Sequence, residues 1–408
     1  MELRQYQIEI ANKANEILNK LNIVYLVCEV RTGKTLMALE TAKLFGANKV
    51  LFLTKKKAIQ SILSDYKALN YNYDITVVNN ESVHLIKDMY DLIISDEHHR
   101  NGAFPKANNA TKTIKEKFGH LPMVFLSGTP TPESYSQIYH QFWLSKYSPF
   151  KECINFYKWA NIFVNVKKKY LGYAEVNDYT DANQNKIKKI IDKYLITFTQ
   201  EQAGFKTNVQ ETIFEVEMLP ITYSITKTLK KDNVYYGKND LILGETAVKL
   251  MNKLHQLYSG TCILESGKGI IIDNSKLVFI NEKFKNNKIA IFYKFQQELE
   301  MIKEFYKDTI CFDLDTFDNT DKNIALQIVS GREGISLKNA DYLIYLTPDY
   351  SATSYWQSRD RLTTMDRKEN NVFWIFAKEG IENHIYKSIM NKKNYTLSQF
   401  KKDYHVRK

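Results

Sequence analysis

The sequence predicts an α/β protein built on parallel sheets and divided into more than one domain. Short, continuous apolar runs alternate with helix-length amphipathic stretches, the pattern of parallel strands covered on both faces. The chain has 408 residues, and a chain beyond roughly 250–300 residues usually splits into separate cores. The residue clusters with evident chemistry each directly follow an apolar run, where a parallel sheet gathers its ligands.

In chain order, Ile8 to Leu21 reads as a helix whose Ile10, Ala14, Ile17, Leu18 and Leu21 share one face. Ile23 to Cys28 is an apolar, β-branched strand that runs into Glu29, Val30, Arg31, Thr32, Gly33, Lys34 and Thr35, and a helix follows to about Phe45. Strand, loop and helix in that order suit a triphosphate: glycine lets the backbone curl its N–H groups inward, and the helix N-terminus adds partial positive charge. Lys34 is then placed for the β- and γ-phosphates and Thr35 for Mg²⁺. The usual glycine five residues before Gly33 is replaced by Cys28.

Lys49 to Leu53, Ile75 to Val78, Tyr90 to Ser95 and Leu121 to Leu126 read as further strands, with a helix over Ala58 to Leu69. Asp96 and Glu97 close the third of these strands. Adjacent carboxylates downstream of a phosphate loop are what metal-assisted phosphoryl transfer needs, Asp96 holding the ion through water and Glu97 deprotonating the attacking water. His98 and His99 follow, readable alone as polar bystanders or a metal pair. Ser127 and Thr129, in Ser-Gly-Thr-Pro, bring hydroxyls to the next strand end.

Bulk properties narrow the class. The chain is 44% hydrophobic and 25% charged, which excludes a disordered or fibrous protein. A net charge of +11 favours a polyanionic partner. An AT-rich coding sequence, which favours Lys, Asn, Tyr and Ile, accounts for it equally well. Cys28, Cys153, Cys262 and Cys311 form no C-x-x-C pair, so neither zinc nor a disulfide framework is expected. Without an apolar leader or a membrane-length run, the expectation is a cytoplasmic protein with no membrane partner.

Taken together and in order, Gly33-Lys34-Thr35, Asp96-Glu97-His98-His99 and Ser127-Gly128-Thr129-Pro130 resemble motifs I, II and III of superfamily 2 helicases, and the wider wording resembles the Swi/Snf-like branch, especially its small phage-type members. Leu3 to Gln7 resembles the adenine-recognition motif, implying Gln7 as base reader. Arg31 stands where the branch commonly has glycine. Arg31 and Thr32 fall within the nucleotide loop. Thr54, Lys55, Lys56 and Asn79 fall where motifs Ia and Ib meet nucleic acid. Lys288 to Tyr293 resembles motif IV, Ile324 to Leu337 motif V, and Gln357 to Leu362 motif VI.

The resemblance implies two RecA-like parallel-sheet domains in tandem, residues 1–148 and 274–408, joined by a helical connecting and protrusion region, 149–273. It implies ATP and Mg²⁺ bound between the domains, sequence-independent DNA as partner, and an ATP-dependent helicase or translocase. Gly334 and Arg361 are expected at the nucleotide, Arg332 at the nucleic acid, and His99, Ser127, Thr129 and Gln357 in coupling. Arg361 is expected to stabilise charge on the transferring phosphoryl group. The family's second motif VI arginine is replaced by Thr364, so either Arg361 acts with one fewer partner, or Arg359 or Arg367 substitutes. Tyr157, Trp159, Phe163, Lys167 to Lys169 and Tyr170 interleave aromatic and basic residues, readable as a nucleic-acid face or as core aromatics beside solvated lysines. A nucleic-acid-stimulated ATPase switch, or a binding module with decayed hydrolysis, stays open beside the motor.

Overall fold

The protein, described from a computed structural model, is followed through residues 1–170, 175–205, 208–237, 240–331, 335–364, 369–391 and 394–404. It divides into two compact units, Met1–Phe205 and Lys206–Lys408. No helix among the described residues is long and apolar enough to cross a membrane.

The first unit opens with helix α1 (Gln5–Leu21), which buries Ile10, Ala14 and Leu18 and ends at Asn22 in the left-handed conformation. Asparagine tolerates that cap better than most residues. Strands β1 (Ile23–Cys28), β2 (Lys49–Thr54), β3 (Asp74–Asn79), β4 (Leu92–Ser95) and β5 (Met123–Leu126) alternate with α2 (Lys34–Phe45), α3 (Ile59–Leu69) and α4 (Asn109–Phe118). Helix α5 (Ile138–Trp143) follows, then an antiparallel hairpin of β6 (Lys167–Tyr170) and β7 (Glu175–Asp178), and finally β8 (Leu195–Phe198). The sheet runs β3-β2-β4-β5-β1-β8, and every pairing in it is parallel. Its six carboxyl ends therefore lie along one edge. Two apolar clusters fill its two faces, one around Tyr25, Phe125, Phe142 and Trp159, the other around Val24, Leu26, Phe52 and Ile94.

The second unit repeats the principle with a different strand order. Its sheet contains β9 (Asn208–Val216), and the chain then makes two small hairpins, β10 (Val234–Tyr236) with β11 (Leu241–Leu243), and β12 (Thr261–Ile263) with β13 (Gly269–Ile271). Strands β14 (Ile289–Tyr293), β15 (Ile310–Cys311), β16 (Asn323–Gln327), β17 (Tyr342–Tyr345) and β18 (Glu369–Ala377) complete an all-parallel sheet ordered β15-β16-β14-β17-β18-β9. The tandem parallel-sheet architecture expected from the sequence is present.

Residues 149–273, read as a helical connector, hold strands as well as helices and supply an edge strand to each sheet, β8 to the first and β9 to the second. Polar, half-exposed edge strands such as Asn208–Val216 lack the apolar run that marks a central strand. Trp159 and Phe163 are core residues of the first unit, whereas Lys167 to Tyr170 lie exposed on β6. Helix Leu397–Asp403, in a tail with no sequence-level signal beyond polarity, is capped by Thr396 and buries Phe400.

Candidate functional site

The loop between β1 and α2 is shaped by backbone conformation. Arg31 and Gly33 both lie in the left-handed region, at φ 63° and 85°, and Gly33 forms the N-cap of α2. The φ of Gly33 favours glycine, and a Cβ there would come within 2.1 Å of Gln7 Nε2 and push that amide aside. Lys34, first in the helix, folds its ammonium back to donate to the carbonyl oxygens of Cys28 (2.8 Å) and Glu29 (3.0 Å). Thr32 is fully buried and donates from Oγ1 to Glu29 O at 2.8 Å.

The N-terminal helix holds this loop from one side. Gln7, 4% exposed, donates from Nε2 to Thr32 O at 3.3 Å and accepts from the Arg4 amide at 2.9 Å. Tyr6 OH also donates to Thr32 O, at 3.2 Å, and its ring stacks on Phe198 with centroids 5.0 Å apart. Gln7, expected to read a base, is thus brought to the loop with its amide engaged there.

Asp96 and Glu97 stand on the same sheet edge. Thr54 Oγ1, at the end of β2, donates to Asp96 Oδ2 at 2.8 Å. Burial, then the neighbouring Glu97 charge, pushes the Asp96 carboxyl up to about 6, against the Thr54 hydrogen bond and the Lys34 charge. Glu97 takes φ 46°, an uncommon left-handed value for a non-glycine residue. His99 Nδ1 lies 3.3 Å from Glu97 Oε2 and 3.0 Å from Ser127 Oγ, and the Thr129 amide donates to Ser127 Oγ at 3.1 Å. The expected coupling residues His99, Ser127 and Thr129 therefore form one chain that begins at Glu97. A Cβ at Gly128 would sit 3.7 Å from Lys34 Nζ, so the Ser127–Thr129 turn borders the lysine as well.

His98 does not pair with His99 around a metal. Its Nε2–H donates to Gln141 O at 2.9 Å, leaving Nδ1 to accept from Ser95 Oγ (2.8 Å) and Asn101 Nδ2 (3.2 Å). Its ring stacks on Phe125 at 3.6 Å, and burial pushes its pKa down to about 3, so it is neutral. Gln141 Oε1 accepts from Tyr25 OH at 2.7 Å while its Nε2 donates to Pro130 O at 2.8 Å. This network fixes the turn carrying Asp96 and Glu97 onto α5.

Mg²⁺ suits the donors available. Thr35 and Asp96 offer hard oxygens, and among the described residues no group of three or more His, Cys, Asp or Glu could hold a metal. An ion that keeps several waters and takes phosphate oxygens matches so sparse a set.

Other expected residues are placed as follows. Thr54, expected at nucleic acid, is buried and serves Asp96 instead. Asn79 caps the next turn by accepting from the Ser82 amide at 2.7 Å, and Lys55 and Lys56 begin the turn after β2. In the second unit, Arg361 Nη1 donates to Ile335 O at 3.2 Å, while its own carbonyl accepts from the Leu337 amide at 2.9 Å. That joins the motif VI stretch to the end of the motif V stretch. Gln357 is buried. Arg359 lies over the Trp356 ring at 4.5 Å and 3.8 Å from Glu211, so it is held inside its own unit. Arg332, Gly334 and Arg367 lie outside the described residues. Sequence reasoning named the stretches that hold Tyr6, His98 and Gln200 but gave these three residues no role at the loop or the acid pair, since each meets its partners only through the fold.

No protein-family model matches the chain, and no curated protein matches it. Among solved structures it is similar to a Sulfolobus solfataricus SWI2/SNF2 ATPase core in complex with dsDNA, at 17% identity over 98% of this chain and 92% of that one, with a TM-score of 0.42. It is similar also to a structure of the Sulfolobus solfataricus SWI2/SNF2 ATPase core domain, at 16% identity over 96% and 89%, with a TM-score of 0.43. Likeness of this degree says nothing of activity.

Proposed function

We propose that the first unit hydrolyses ATP and that the chain uses the hydrolysis to move along DNA, as a translocase or helicase. The observation that carries the hydrolytic reading is the convergence, on one sheet edge, of a left-handed phosphate loop, the Lys34 ammonium and the Asp96–Glu97 pair with its His99–Ser127 chain. DNA as the polymer rests on the resemblance carried by the order of the sequence motifs, and the net charge of +11 suits any polyanion.

In this reading the triphosphate enters the loop and Lys34 exchanges the Cys28 and Glu29 carbonyls for β- and γ-phosphate oxygens. Thr35 and Asp96 would hold Mg²⁺, which would supply neutralisation of phosphate charge. Glu97 takes a proton from the attacking water. The new bond forms from the water oxygen to the γ-phosphorus as the bond to the β,γ-bridging oxygen breaks, giving ADP and phosphate. His99, through Ser127, keeps Glu97 oriented and carries the change at the γ-phosphate to the Thr129 turn. Arg361 belongs to the same reading as a stabiliser of charge on the transferring group.

ATP turnover with and without DNA, in wild type and Lys34→Ala, tests this. DNA-stimulated turnover that Lys34→Ala abolishes is expected. Turnover that is absent, or indifferent to both DNA and the substitution, overturns it. Strand displacement on a forked duplex then separates a helicase from a translocase or switch that leaves strands paired.

A further inference from the structure

Glu29 is held from a direction the hydrolytic reading does not use. Its amide donates to Phe198 O at 2.9 Å, its Oε2 accepts from the Gln200 amide at 2.7 Å, and Gln200 Nε2 donates to Val30 O at 3.0 Å. Glu29 O meanwhile accepts from both Lys34 and Thr32. One residue thus links the lysine that meets phosphate to the turn after β8.

That turn is ordered by its own bonds. Thr199 N donates to Gln202 Oε1 at 2.9 Å, Gln202 N donates to Thr199 Oγ1 at 3.1 Å, and the Ala203 and Phe205 amides donate to Thr199 O and Gln200 O. Phe205 is also the last residue of the first unit, and the chain beyond it enters β9, the edge strand of the second sheet. The segment that braces the phosphate loop is therefore the one through which the chain leaves for the second unit.

We propose that Gln200 is a positioning residue that couples occupancy of the phosphate loop to the Thr199–Phe205 turn, so that nucleotide binding is felt in the chain leading to the second unit. The coupling rests on the ATP reading above. When Lys34 leaves the Glu29 carbonyl for phosphate, Glu29 keeps its bonds to Phe198 and Gln200, and any shift of the loop is passed to the turn through them. The Gln200 side chain sets how far, because without it the Val30 carbonyl is untied and the loop can move alone.

Hydrogen exchange of the full-length chain tests the coupling, read at the Gln200, Ala203 and Phe205 amides with and without a non-hydrolysable ATP analogue. In wild type the analogue slows exchange at these amides by about fivefold or more, the lower range of coupling between sites. Gln200→Glu, close in size but without the donor and repelled by Glu29, loses that slowing while binding the saturating analogue. Gln200→Lys, which restores a donor and can pair with Glu29, recovers most of it. In turnover, Gln200→Glu raises KM for ATP about tenfold with a smaller effect on kcat, since it disturbs the loop and not Glu97. The coupling is overturned if the analogue binds wild type without altering exchange at these amides, or if Gln200→Glu responds as wild type does. If wild type binds no analogue, the ATP reading falls, and the coupling with it.

Discussion

The two sheets are each six strands wide and parallel throughout, yet the polar groups around them are arranged in opposite ways. In the first unit, the carboxyl edge ends in a loop with left-handed residues, a lysine resting on backbone carbonyls, and a carboxyl lifted to about 6. In the second, the charges close on one another. Lys276 and Glu382, both essentially unexposed, meet at 2.6 Å, and Lys294 meets Asp349 at 2.6 Å just beyond the ends of β14 and β17. Glu298 is buried and accepts from the Lys294 and Phe295 amides and from Thr347. Parallel strands supply an edge; the side chains at the strand ends decide whether it becomes a site or a sealed wall.

The sharpest way to break the contrast is at the sealed pair. Lys276→Ala leaves Glu382 buried without its partner and is expected to destabilise the second unit by about 3–5 kcal/mol. Urea unfolding should show the second unit's transition shifted and the first's unmoved, and Lys276→Met with Glu382→Leu should recover most of the loss. The opposite outcome is expected in the first unit. Lys34→Ala should lower turnover by about 10²–10³-fold, the scale of one removed transition-state contact, with its thermal midpoint essentially unchanged.

Gly33→Ala tests the loop's shape. Its Cβ would collide with Gln7 and its φ of 85° is strained for alanine, so a loss of about 1–3 kcal/mol is expected, with nucleotide affinity falling alongside. Calorimetric melting and analogue titration read the two effects.

The lifted Asp96 carboxyl gives the open edge a pH signature with two opposite signs. Its folded pKa, about 6, lies above the ordinary aspartate value of 3.8. The stability it contributes is therefore complete below about pH 4 and is lost as pH rises through 6, by at most about 3 kcal/mol. Asp96→Asn should flatten that slope in urea titrations. Turnover needs the carboxylate, which bound Mg²⁺ would favour, so turnover should instead fall with acid, and only well below pH 6. The smallest effect is expected at Arg31, whose left-handed φ of 63° is natural for glycine. Arg31→Gly should relieve about 1 kcal/mol of strain, offset by the greater freedom of glycine in the unfolded chain. Turnover should stay near wild type, and a severe loss would instead make the guanidinium part of the working loop.

The sequence was informative where burial demands a continuous apolar run. Ile23–Cys28, Lys49–Thr54, Leu92–Ser95 and Met123–Leu126 are such strands, and the loop and acid pair at their ends could be read with them. It was poor at sheet edges, where Leu195–Phe198 is too short to stand out and Asn208–Val216 breaks its apolar residues with polar ones, and both pair on one side only. Both edges come from residues 149–273, and the first compact unit ends at Phe205. Thr54 shows a second limit: a threonine ending a strand among lysines looks like a surface residue, and only the fold reveals the carboxylate behind it. Gln200 shows a third, since its partner Glu29 is 171 residues away.

The two carbonyls on Lys34 make the loop its own competitor. Two of the three N–H donors of the ammonium are so occupied, and an anion competes with these carbonyls for it. A single phosphate replaces neutral acceptors by a charged one, and a triphosphate adds a second anionic group and brings more of the loop's N–H donors into play. In the proposed reading the loop therefore favours a polyphosphate, which meets the ammonium and the loop's N–H groups together, over a single phosphate.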